Sequence, residues 1–182
     1  MPTSVNVLDQ WILSRLNQLI EEMTKWMNAY EMALAIAPLD KFIDDLSTWY
    51  LRRSRDRMKD GDKDAKQTMY FVLKNLVKVM APFTPFCSEN EWLKLRKEND
   101  TESVHLVEWP TVSNIVFDTM LMQKTRNLVS LGLKERQLNN IPVRQPLTKL
   151  EVKELGLDAE YIVLIKDELN VKDVKSYGAR AE

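Results

Sequence analysis

The stretch that sets the architecture is Phe42-Ile43-Asp44-Asp45-Leu46-Ser47-Thr48-Trp49-Tyr50-Leu51-Arg52-Arg53-Ser54-Arg55-Asp56-Arg57. It holds no Gly and no Pro, so one helix runs through it. At about 100° per residue, Phe42, Ile43, Leu46 and Tyr50 share a stripe with Leu39 upstream. Arg53 and Arg57 extend that line, which makes them candidates for pairing with acids at the end of a bundle. Arg52, Arg55 and Lys59 fall on a different, outward side. Cations in that arrangement can run along a phosphate backbone, or can simply be a solvated helix end.

Working outward, this second helix spans about 31–59, and Pro38 is expected to kink or divide it. Asp60-Gly61-Asp62 stops it and turns the chain. Before it lies the clearest helix. Leu8, Ile12, Leu16, Leu19, Ile20, Met23, Trp26 and Met27 fall inside an arc of roughly 120°, with Asn6 as N-cap. After it, Ala65, Met69, Val72, Leu73, Leu76 and Met80 predict a third helix over about 62–80. Thr84 as N-cap and Pro85 at the first helical position open a fourth, reaching about Arg96. Residues 98–112 read as a connection in which Val104-His105-Leu106-Val107 is extended. A fifth helix spans about 113–138, with Phe117, Met120, Leu121, Leu128 and Leu131 on one side.

The remainder changes character. Leu147–Val152 reads as a strand, Asp158–Glu168 as a short helix and Val171–Tyr177 as a second strand. The expected fold is mainly α, with a helical bundle over 1–140 and a small α+β appendage over 141–182. The appendage is too small to stand alone.

The composition excludes several chemistries. The 182 residues carry one His, one Cys and four widely separated Gly. No dinucleotide fingerprint or P-loop can be written, and neither a paired-His nor a Cys-x-x-Cys zinc motif. No apolar run approaches the roughly 20 residues of a membrane span. The first residues lack a basic-then-apolar leader, so a reducing, cytoplasmic location is the expectation. Asp44 and Asp45 are neighbours and cannot face one site, so they read as a helix-surface pair. His105 reads as a packed or loop histidine and Cys87 as a half-buried small hydrophobe. No catalytic constellation emerges.

The net charge of −1 conceals a sorted distribution. Residues 52–59 hold five cations against one acid, and 134–149 hold four against one. Sorted charge of this kind signals an anionic partner. Trp49 is the tryptophan adjoining clustered Arg, so it is the candidate for stacking on a base.

At these residues the chain resembles a known family. The stretch Phe42–Arg55 closely resembles the anticodon-binding helix of isoleucyl-tRNA synthetases, which are class I enzymes. Leu8-Asp9-Gln10-Trp11-Ile12-Leu13-Ser14-Arg15-Leu16-Asn17 resembles the segment that opens that domain, and Met80-Ala81-Pro82-Phe83-Thr84-Pro85-Phe86 its third junction. Ser103-Val104-His105-Leu106 and Trp109-Pro110 resemble the loop that follows. Val143-Arg144-Gln145-Pro146-Leu147 and Ile165-Lys166-Asp167-Glu168-Leu169-Asn170-Val171 resemble its C-terminal part. The Ala-Pro-Phe-Thr-Pro-Phe junction is shared with related synthetases. The Trp-Tyr-x-Arg-Arg-Ser-Arg run favours isoleucine over valine or leucine.

There are departures. The family's ATP-site signatures, His-Ile-Gly-His and Lys-Met-Ser-Lys-Ser, are absent, as are its catalytic and editing domains and the cysteine-rich zinc module of some members. Thr48 stands where Asn is common, and Asn90 where Glu is common. The resemblance therefore implies a fragment of a longer ligase. Its own cofactors would be none, with ATP and magnesium serving the parent's catalytic domain. Its partners would be the anticodon stem-loop of isoleucine tRNA and that catalytic domain, with no membrane. The implied RNA contacts are Arg52 and Arg55 first, with Trp49 as support or stacker. Arg53, Arg57 and Lys59 come next, then Arg136, Arg144 and Gln145. The alternative is a protein-interaction bundle using the same helices, or the equivalent domain of a valine or leucine enzyme.

Overall fold

The computed structural model describes residues 2–112, 117–153 and 156–177. They form two compact units, Met1–Phe117 and Asp118–Glu182.

The first unit is a helical bundle. Helix α1 (Val7–Asn28) begins where the Asn6 side chain accepts the Leu8 amide proton, as the sequence predicts. Helix α2 (Met32–Asp44) packs against it after a turn in which Tyr30 is left-handed, with φ 58°. Pro38 lies inside α2 without dividing it. The departure comes later, where Asp45–Leu51 form a π-helical stretch before helix α3 (Arg52–Lys59). Its cause is phase. The buried positions Phe42, Leu46, Tyr50 and Ser54 recur every fourth residue. Plain α geometry would let such a series drift by about 40° per step, and a wider turn keeps it facing the core. Hydroxyls serve carbonyls there: Ser47 Oγ donates to Ile43 O and Thr48 Oγ1 to Asp44 O, both at 2.7 Å.

Gly61, at φ 94°, takes the left-handed position that ends α3, and the Asp62 amide closes back on Arg57 O at 3.0 Å. Asp62 then caps helix α4 (Lys63–Met80), accepting from the Asp64 and Ala65 amides. Pro85 opens helix α5 (Pro85–Leu95), although Thr84 turns its hydroxyl back to Met80 O and makes no side-chain cap. Trp11, Ile12, Leu16 and Met23 of α1 are buried, as are Phe42, Tyr50, Val72 and Val79, and a further cluster joins Trp92 to Val77, Ala81 and Val104. Each such side chain contributes about 1.5–3 kcal/mol on burial, an upper bound.

Residues 104–106 are a 3-10 turn, not the extended run expected. The Glu89 carboxylate accepts from Ser103 Oγ and the Val104 amide, and Ser103 Oγ accepts from the His105 amide, which curls the segment. His105 and Cys87 are exposed, so the half-buried cysteine is a correction. Asp45 is another: it is buried and takes Arg15 Nε at 2.8 Å, whereas Asp44 is exposed.

The second unit holds helix α6 (Thr119–Leu138), strand β1 (Leu147–Lys153), helix α7 (Ala159–Leu169) and strand β2 (Val171–Tyr177). The strands pair in parallel, Leu147 opposite Val171 and Leu150 opposite Val174, across the α7 connection. The expected start of α6 at Ser113 lies outside the described residues. Helix α6 belongs to the second unit, where it packs on α7. Its buried side is also not the expected one. Met122, Thr125, Val129 and Arg136 face inward, while Met120 and Leu131 are exposed. That side is spaced correctly for a helix, but Thr, Gly132 and Arg make up part of it.

Candidate nucleic-acid interface

Helix α3 is two turns of mostly charged residues. The Arg52, Arg55 and Lys59 side chains are exposed, as the projection places them. Arg52 Nε donates to Thr48 O at 2.8 Å, so its guanidinium is tied to the π stretch. Trp49 sits in that stretch, half-buried. Arg53 is half-buried on the inner side.

Arg57 is turned inward onto a buried carboxylate. Its Nη1 and Nη2 donate to Asp9 Oδ1 and Oδ2 at 3.0 and 2.9 Å, and its Nε donates to Asp62 Oδ2 at 2.9 Å. Asp9 is fully buried and also accepts from Ser4 Oγ at 2.6 Å and Tyr50 Oη at 2.8 Å. Burial, and then the Asp9 carboxylate beside it, push the Tyr50 hydroxyl far above the ordinary tyrosine range. Burial pulls the Arg57 guanidinium down, but the hydrogen bonds and charge of Asp9 and Asp62 outweigh that and raise it. The Ala65 amide, helped by Arg57, holds the Asp62 carboxyl below its usual range. Arg57, expected among the RNA contacts, is thus engaged in a structural ion pair, its donors turned to Asp9 and Asp62.

The second positive window divides too. Arg136 is buried and donates to main-chain oxygens: Nη2 to Leu169 O at 2.5 Å and Asn170 O at 3.2 Å, and Nη1 to Pro142 O at 3.2 Å. A cation there serves the carbonyl end of α7. Arg136, expected among the weaker RNA contacts, is thus buried with its donors on the main chain. Arg144 and Gln145 are exposed on the turn before β1, in the second unit. So the structure brings Trp49, Arg52, Arg55 and Lys59 to one short segment, and Arg144 and Gln145 stand apart from it in the chain.

Sequence reasoning missed Asp9. The signal was present: a carboxylate four residues before Leu13 and seven before Leu16, both buried, occupies a core position of α1.

The family described as the anticodon-binding domain of tRNA ligase matches residues 9–153. The chain belongs to that family. Its α3 is thus the basic helix of an anticodon-binding domain. Proteins named isoleucine–tRNA ligase are similar to it: 39% identical in Clostridium acetobutylicum, 38% in Streptomyces coelicolor and 37% in Treponema denticola. These matches cover 97%, 96% and 93% of this anticodon-binding domain chain, and 18%, 18% and 16% of the relatives. The chain thus spans less than a fifth of the length of these curated relatives. Among the described residues no helix is long and apolar enough to cross a membrane.

Proposed function

We propose that this chain binds the anticodon stem and loop of isoleucine tRNA, as part of a cytoplasmic isoleucine–tRNA ligase. The observation that carries the reading is the outward row Arg52, Arg55 and Lys59, on a helix fixed to the bundle beside half-buried Trp49. Guanidinium groups so placed can contact backbone phosphates and stack on or hydrogen-bond to splayed loop bases. Arg144 and Gln145 are a second contact on the other unit. The names of the relatives favour isoleucine over valine or leucine.

The ligase reaction, with its ATP and magnesium, belongs to the catalytic domain that would be the chain's other partner. Among the described residues no group of three or more His, Cys, Asp and Glu could hold a metal ion.

Titration with isoleucine tRNA and with an anticodon-altered tRNA tests the reading. Binding should weaken with salt at a slope of about −0.7 to −0.9 per phosphate contact and prefer the native anticodon. Arg52→Ala with Arg55→Ala should flatten that slope by about 2. Absence of RNA binding at low salt would instead favour a protein-binding role for the same helix.

A further inference from the structure

Helix α3 has almost nothing apolar to hold it down. It is eight residues long, its one fully buried residue is Ser54, and Met58 is half-buried. It continues the π stretch without a break, Leu51 being itself helical, but its own two turns bury too little apolar surface to fix the far end without further contacts. The contact at its far end is Arg57, whose three nitrogens reach two other elements. Two grip Asp9 on α1, across 48 residues of sequence, and one grips Asp62 at the start of α4. The bidentate fork fixes both angle and distance, which a single point charge would not.

We infer that Asp9 is a positioning residue for RNA recognition: through Arg57 it holds the outward cations of α3 in their binding geometry. The inference rests on the proposed tRNA binding. Asp9 itself lies out of reach of RNA, at 0% exposure. A buried ion pair is a weak source of net stability, but a bidentate one has a defined geometry. Here the geometry set is that of Arg52, Arg55 and Lys59, about half a turn to one and a half turns away on the same helix. With α3 held before RNA arrives, binding does not have to order it.

Charge makes the test one of sign. Asp9→Asn removes a negative charge, so electrostatics alone predicts tighter RNA binding. The positioning role predicts that the variant binds isoleucine tRNA at least about fivefold more weakly, with α3 loosened. Its salt slope should stay near wild type, since the number of phosphate contacts is unchanged. Amide hydrogen exchange supplies the local readout. Residues 52–59 should exchange faster in the variant while 85–95 stay protected, whereas general destabilisation would raise both. Arg57→Lys keeps the charge and loses the fork, and serves if Asp9→Asn does not fold. It too should weaken binding with an unchanged slope. Wild-type or tighter affinity in the folded Asp9→Asn variant, or in Arg57→Lys where that variant serves, overturns the inference, as does exchange raised equally in both regions. Failure of the underlying reading looks different: the wild type does not bind, or Arg52→Ala with Arg55→Ala has no effect.

Discussion

The hydroxyl of Tyr50 donates into a carboxylate that already holds a guanidinium, and this gives the bundle an alkaline limit. Burial and the Asp9 charge favour the neutral phenol in the folded state. The stabilisation is therefore complete below the unfolded tyrosine value of about 10, and is lost as pH rises from there toward the raised folded value. Tyr50→Phe should cost about 1 kcal/mol at neutral pH and flatten the loss above pH 10, read from urea unfolding at several pH values. Buried Ser4 and half-buried Arg15 and Glu89 likewise each have a polar partner. In the second unit, Gly132 matters for its missing side chain. A Cβ there would press into the Leu169 side chain, itself buried on every side. Gly132→Ala should destabilise that unit by about 1–3 kcal/mol, measured by thermal unfolding.

Among the elements, the turn from α3 to α4 rests on one carboxylate. Asp62 Oδ1 accepts two α4 amides while Oδ2 accepts Arg57 Nε. Asp62→Ala should lower the thermal midpoint by a few degrees, and Asp62→Asn by less, because the amide oxygen still caps. The Asp62 carboxyl is held below its usual range, so its contribution is present above the unfolded carboxylate value and fades as pH falls through the folded one. The stability of Asp62→Asn should vary less between pH 5 and pH 3 than that of wild type, by about one proton's linkage at most. Elements with local signals were readable from sequence: Asn6, Gly61, Asp62 and Pro85 mark their ends, and apolar spacing marks their spans. The π stretch was not, because its cause is the match between a four-residue burial series and the core, which no local residue announces. Nor was the buried side of α6, where Thr125, Gly132 and Arg136 take core positions. The interface was legible as charge but not as role. The projection separated Arg57 from Arg52, Arg55 and Lys59, yet nothing in the window around Arg136 revealed that carbonyls of α7 would enclose it.

On the scale of the whole chain, the two units differ in what they bury. The bundle has long helices with wide apolar faces. The second unit has a two-stranded sheet in which most β1 residues are exposed, and so small a sheet contributes little stability of its own. Amides of β1 and β2 should therefore exchange at lower opening free energy than those of α1 and α4, measured on the intact chain. The π stretch has a further consequence. A widened turn takes up more chain than an α turn between the same two ends. Deleting one residue within Asp45–Leu51 would let that turn tighten and leave Arg57 opposite Asp9. Deleting one within Arg52–Arg57 would swing the following side chains by about 100° and break the pair. The bundle carries its slack in one place: there the chain can shorten by a residue and still keep its register.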